Sequence, residues 1–147
     1  MKILILGASY GSLLSTKLLL AGHDVTLICR SKSAELINDE GTEVRIKLRD
    51  EDSHRSFRSN DLAGTLDAVT PADARPEDYD MISLAMQEPQ YSEPQVRYLM
   101  QRIAASRKPC LSIMNMPPLP FLRRIDALAK APLEMCFDDA SVWADFE

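Results

Sequence analysis

Four short stretches of the chain carry residue types that can do chemistry, and each follows an apolar run. The first is Gly7-Ala8-Ser9-Tyr10-Gly11-Ser12, between the run Lys2-Ile3-Leu4-Ile5-Leu6 and leucines at helical spacing. Small residues at a strand-to-helix turn let backbone N–H groups approach an anion where the helix dipole favours negative charge. A G-x-G-x-x-G turn uses its first glycine for the tight turn, its second for pyrophosphate approach and its third for helix–strand packing. Here Gly7 fills the first position, Ser9 the second and Ser12 the third, with Gly11 one place early. The strict motif fails, yet alanine and serine are small, and a serine hydroxyl can donate to phosphate. The turn therefore reads as a pyrophosphate cradle with the backbone at Gly11 close to the phosphate. The alternative is a small-residue turn that only packs helix on strand.

The second stretch, Cys29-Arg30-Ser31-Lys32-Ser33, ends the next apolar run, and no carboxylate follows until Glu35. A dinucleotide fold selective for NAD places Asp or Glu near this strand end to hold the ribose 2′-hydroxyl, whereas a basic residue there accommodates a 2′-phosphate. Arg30 can pair with such a phosphate, even bidentately. Arg30, Ser31 and Lys32 thus predict NADP as cofactor, against the alternative of basic residues solvated at a strand end. The third and fourth stretches are Ala85-Met86-Gln87 and Asn115, which end the runs Met81–Met86 and Pro109–Met114. Open α/β sheets bind ligands at the carboxyl ends of their strands, so these residues are expected to line the same site. Otherwise Gln87 is a polar loop residue and Asn115 a turn former before Pro117.

The elements that must position these residues are legible in the hydrophobic pattern. Continuous apolar runs at 2–6 and 25–29 suit strands covered on both faces of a parallel sheet. Between them Leu13, Leu14, Leu18, Leu19 and Leu20 recur at helical spacing, and Gly22 can take the left-handed conformation that closes a helix. Strand, turn, helix and strand within thirty residues form a βαβ unit with a right-handed crossover. A short helix is expected at 33–38, a strand at 44–48, and a hairpin or exposed loop over the polar stretch 49–60, where Phe57 alone can anchor. A short strand at 68–70 and a polar connector between Pro71 and Pro76 lead to a central strand at 81–86. A helix between Pro94 and Ser106 would bury Val96, Leu99, Met100 and Ile103 on one face. A last strand at 109–114, a turn rich in proline (Pro117, Pro118, Pro120) and a helix at 121–129 complete the pattern. Beyond Pro132 no strand-like run follows. The fold class is α/β: a Rossmann-type doubly wound, mainly parallel sheet flanked by helices.

Bulk properties narrow the partners. The chain has 147 residues, 46% hydrophobic and 27% charged, which allows one domain with a sizeable core. A net charge of −5 without a Lys/Arg cluster argues against nucleic acid. No stretch reaches the roughly 20 apolar residues of a membrane span, and the opening run is too short for a signal peptide; a cytoplasmic location is the expectation. Cys29, Cys110 and Cys136 lie far apart in apolar contexts, which reads as buried small side chains rather than a disulfide framework or zinc site. His23 and His54 have no partner cluster, and no metal is expected.

Taken together, these residues resemble the N-terminal domain of the ketopantoate reductase (2-dehydropantoate 2-reductase) family, as a divergent member. The resemblance rests on residues 2–8, on Gly11-Ser12-Leu13-Leu14, on residues 21–30, on residues 80–87 and on Leu111-Ser112-Ile113-Met114-Asn115. The N-terminal part is shared with opine and 6-phosphogluconate-type dehydrogenases; the two later strand ends narrow it. The resemblance implies hydride transfer from NADPH to a 2-keto acid. It also implies that Gln87 stands where the family has a lysine contacting substrate and cofactor, and that Asn115 lies near nicotinamide and substrate, so these two are the candidate catalytic residues. Glutamine carries no charge for a keto-acid carboxylate, and neither amide is an acid at neutral pH. A catalytic lysine and an acid would come from a helical C-terminal domain outside this chain, so residues 1–147 are expected to be the dinucleotide-binding domain of a longer protein, inactive alone. Pro117, Pro118 and Pro120 depart from the family pattern. The expected partner is a small-molecule keto acid, with a homodimer left open. Two alternatives stand beside this: a non-catalytic nucleotide-sensing module, and an enzyme of the opine dehydrogenase type acting on an imine.

Overall fold

The computed structural model describes residues 1–146. Five strands form one parallel sheet: β1 (Lys2–Leu6), β2 (Asp24–Ile28), β5 (Leu66–Val69), β6 (Met81–Leu84) and β7 (Cys110–Ser112). Their order is β5-β2-β1-β6-β7. Helices α1 (Ala8–Leu20), α2 (Ser31–Glu40), α3 (Pro94–Ser106) and the single turn α4 (Leu119–Leu122) connect or follow them. The remaining strands, β3 (Glu43–Lys47) and β4 (His54–Arg58), pair only with each other, as an antiparallel hairpin.

The period-2 alternation of β1 assigns its side chains to two cores. Ile3 and Ile5 join Val25, Leu27, Leu19 of α1 and Ala34 of α2 on one face. Leu4 and Leu6 join Ile28, Ile82 and Leu84 with Val96, Leu99, Met100 and Ile103 of α3 on the other. The four α3 residues expected on one face are thus the four it buries. The chain runs outward from β1 through β2 to β5, then returns past β1 to β6 and β7. That reversal places the topological switch point between β1 and β6, where a doubly wound sheet opens its ligand crevice. Gly22 takes φ 79° just after α1, as the sequence suggested.

Several expectations need correction. The short helix extends over Ser31–Glu40 rather than 33–38. The strand foreseen at 44–48 does not join the main sheet: Val44 faces Phe57 across the hairpin, and the alternate positions are charged, so only one face is apolar. No helix spans 121–129. After α4 the chain turns back in short 3-10 steps, so that Leu133 is buried and Glu134 meets Arg123. Tertiary packing overrides a respectable helix propensity there. Cys110 and Cys136 are exposed and Cys29 half-buried, not buried small side chains. A feature the sequence did not announce is the segment 133–146, which packs Phe137, Val142 and Trp143 onto the α3 face. Among the described residues no helix is long and apolar enough to cross a membrane.

Candidate functional site

The site is built where β1 and β6 end side by side. The Ala85 N–H donates to the Leu6 carbonyl at 2.9 Å, and the Gly7 N–H donates to the Ile28 carbonyl at 3.1 Å, so three strand ends are tied together. Gly7 caps α1 with φ 105° and ψ 108°, a conformation that side chains resist. A Cβ at Gly7 would also lie 2.9 Å from the Ala85 carbonyl oxygen. This is the first-glycine role, met at the expected residue.

Gly11 carries a packing role. It is buried, and a Cβ there would stand 2.7 Å from Ile5 Cγ2 and 3.6 Å from Leu27 Cδ2. Its smallness lets α1 lie against β1 and β2, which is the packing role of the third glycine in a dinucleotide turn. The turn is therefore one residue shorter than G-x-G-x-x-G, with Gly11 and not Ser12 as its last glycine. The first intrahelical bond runs from the Gly11 N–H to the Gly7 carbonyl at 3.0 Å. The N–H groups of Ala8, Ser9 and Tyr10 thus precede the hydrogen-bonded ladder at the positive end of a 13-residue helix. No side chain caps that end and no acidic residue occupies its first turn. Ser12 Oγ donates to the Ser9 carbonyl, back along the helix.

Arg30 occupies the N-cap of α2 with Ser31 and Lys32 in the first turn, again without an acid in that turn or a capping side chain. The Arg30 side chain is 87% exposed and lies 4.0 Å from Glu93, at the start of α3. Ser31 Oγ donates to Glu35, which sits one turn further on. Three exposed donors of positive or neutral character thus flank the end of β2.

On the other side of the switch point, a cavity of about 260 Å³ brings together Tyr10, Ala85, Met86, Gln87 and Asn115. Gln87 Nε2 donates to the Tyr10 hydroxyl at 3.2 Å, joining the first turn of α1 to the loop after β6. That loop is braced twice: the Gln87 N–H donates to Gln90 Oε1 at 2.9 Å, and the Met86 N–H donates to the Tyr91 hydroxyl at 3.1 Å. Burial pushes the Tyr91 phenol well above its ordinary value, so it is a neutral acceptor at any working pH. Tyr91 in turn packs on Trp143 with ring centroids 5.6 Å apart. Glu88, Met114 and Met116 also line the cavity. Sequence reading missed Glu88 and the Tyr91 brace, although Glu88 directly follows Gln87 and the signal was there to be followed. Arg30, Ser31 and Lys32 stand apart at the end of β2. His23 precedes β2 at the opposite end of the strands.

A larger space of about 1230 Å³ opens along the outer edge of β7, between Leu111, Phe121 and Phe146. It includes none of the residues expected to act. It is the groove left where the sheet stops.

The fold is similar to that of solved structures. A chain assigned as a ketopantoate reductase from Ralstonia solanacearum MolK2 is similar with 21% identity and a TM-score of 0.54, over 83% of this chain and 34% of that one. A 2-dehydropantoate 2-reductase assignment from Enterococcus faecalis matches at 19% identity and a TM-score of 0.47, over 76% of this chain and 33% of that one. The chain thus spans about a third of the length of these structures. No curated protein matches it. The model of the family described as ketopantoate reductase PanE/ApbA matches residues 3–106, from β1 through α3. With more than two thirds of its residues covered by that match, a switch-point crevice and a glycine-capped first helix, the chain belongs to the ketopantoate reductase family.

Proposed function

We propose that this chain is the NADP-binding domain of an oxidoreductase that transfers hydride between NADPH and a carbonyl substrate. The observation that carries the reading is the first turn of α1: three N–H groups, no cap and no acid, set at the switch point beside Ala85. A pyrophosphate fits there on backbone donors and helix dipole alone. Arg30, Ser31 and Lys32 would hold a 2′-phosphate, with Arg30 free to leave the distant Glu93 for a doubly charged anion. When bound, the cofactor supplies the hydride; the chain positions it and excludes competing groups. Asn115 and Gln87 would orient the carbonyl and the nicotinamide amide at the cavity between β6 and β7. The Tyr10 hydroxyl, held by Gln87, is the O–H that faces the same space.

Spanning 34% of the Ralstonia solanacearum MolK2 chain it matches, the chain is read as the cofactor-binding domain of a longer protein. The test is calorimetric titration of the 147-residue chain with NADPH and NADH. NADPH is expected to bind at least about tenfold more tightly, a difference of about 1.4 kcal/mol. Equal or reversed affinity would sink the NADP assignment.

A further inference from the structure

The Arg30 guanidinium already faces an anion of the chain's own. It lies 4.0 Å from Glu93 Oε1, with the two side chains 87% and 55% exposed. Arg30 follows β2 and Glu93 follows β6, and β1 runs between those strands in the sheet. At about 4.8 Å per strand, β2 and β6 stand about 10 Å apart. The pair therefore reaches across the carboxyl end of β1, where Gly7 opens α1. A dinucleotide running from the end of β2 to the cavity at β6 crosses the same line. Glu93 is held there by its backbone. Pro94, at the first position of α3, favours the extended conformation found at Glu93, with φ −58° and ψ 133°. The Glu93 N–H donates to the Gln90 carbonyl at 3.3 Å, and its carbonyl accepts from the Arg97 N–H at 2.8 Å. Its carboxylate makes no capping bond to α3 and is left to Arg30. A solvated pair at this distance is weak enough to be exchanged for a better anion. A phosphate is such an anion, because its oxygens match the fork of a guanidinium.

Resting on the reading of Arg30 as the contact for a 2′-phosphate, we infer that Glu93 is a specificity-determining residue, an internal anion that competes with that phosphate for Arg30. NADPH must displace the carboxylate from the guanidinium and then sit beside a like charge, which opposes its binding. NADH carries no 2′-phosphate and leaves the pair closed. Glu93 thus lowers affinity for the phosphorylated cofactor alone, and its carboxylate reclaims Arg30 as that cofactor leaves.

The test is calorimetric titration of the 147-residue chain and its Glu93→Gln variant with NADPH and with NADH. Glutamine keeps the size of the side chain and removes its charge. The variant is expected to bind NADPH about two- to fivefold more tightly, the range that an exposed ion pair supports, with NADH affinity unchanged. In an Arg30→Gln background the same substitution is expected to give a smaller gain, because no cation remains to compete for. Glu93→Ser, checked like the others by its thermal melt, repeats the measurement should Glu93→Gln fail to fold. Unchanged or weaker NADPH binding, an equal gain for NADH, or an undiminished gain without Arg30 would overturn the inference. If the parent prefers NADPH and the variants gain nothing, Glu93 is a bystander and the NADP reading stands. If the parent itself shows no preference, that reading falls and takes the competition with it.

Discussion

At the residue scale, two glycines four positions apart do different work, and substitution separates them. Gly7 is held by its backbone and by the Ala85 carbonyl, so Gly7→Ala is expected to cost about 1–3 kcal/mol of stability and to disturb the anion cradle as well. Gly11 faces Ile5 and Leu27 beneath the helix, so Gly11→Val is an overpacking change, expected to cost about 1–3 kcal/mol in urea unfolding. Any loss of NADPH affinity in Gly11→Val should then follow the loss of fold. A variant of parental stability that fails to bind would instead return Gly11 to the phosphate. The irregular spacing points Gly11 at the phosphate, and the structure adds a packing demand on it from Ile5 and Leu27. Spacing alone cannot tell a helix that starts one residue early from a motif that has decayed. Arg30→Asp is expected to remove a charge-assisted contact of about 1.5–3 kcal/mol and to move cofactor preference toward NADH, read by paired titrations.

At the element scale, what was legible was whatever a local pattern could state. β1, α1, β2 and α3 announced themselves because continuous or helical apolar spacing maps directly onto burial, down to Val96, Leu99, Met100 and Ile103. The hairpin of β3 and β4 was left open because its alternation is one-sided and its partner lies across a polar turn. The absent helix at 121–129 was misread because its shape is set by Arg123 meeting Glu134 and by Leu133 entering the core, contacts no window of sequence contains. One junction between elements also predicts pH dependence. Asp24 opens β2, and its carboxylate accepts from the Thr65 hydroxyl at 2.7 Å and from the Thr65 N–H at 3.2 Å, just before β5. The Thr65 hydroxyl, with the N–H behind it, holds the Asp24 carboxyl below its ordinary value of 3.8. A depressed folded-state value stabilises above the ordinary value and is lost as the pH falls through the folded one. Thr65→Val is therefore expected to lower the urea midpoint at neutral pH and to flatten its decline as the pH falls below 3.8, where the unfolded carboxyl takes its proton first. An unchanged acid limb would show that other carboxylates carry it.

At the scale of the whole molecule, the candidate site at the strand ends depends on packing that comes from residues 133–146. Trp143 lies against Tyr91, Phe137 and Phe146, with centroid distances of 5.6, 6.4 and 5.8 Å. Arg97 of α3 pairs with Asp139 to hold this segment down. Tyr91→Phe keeps the ring and removes the acceptor for the Met86 N–H, which is expected to cost about 1–3 kcal/mol and to loosen the loop that bears Gln87 and Glu88. The measurement is urea unfolding beside hydrogen exchange at Met86 and Gln87; full protection in the variant would show that the loop is held by other bonds. For catalysis, the 147-residue chain is expected to give no sustained oxidation of NADPH with ketopantoate, because neither the Gln87 nor the Asn115 amide can donate a proton to the developing alkoxide at neutral pH. Turnover above the rate without protein would refute that.

The same aromatic stack gives the molecule an optical property. Trp143 is the one tryptophan of the chain, and it touches the tyrosine that braces the loop bearing Gln87. Its indole emits in the near ultraviolet, the region where a reduced nicotinamide absorbs. Energy transfer from Trp143 to a bound NADPH would dim the protein's emission and brighten the cofactor's, whereas NADP, which lacks that absorption, would leave the transfer dark. The chain would then report the redox state of whatever occupies its crevice without any added dye.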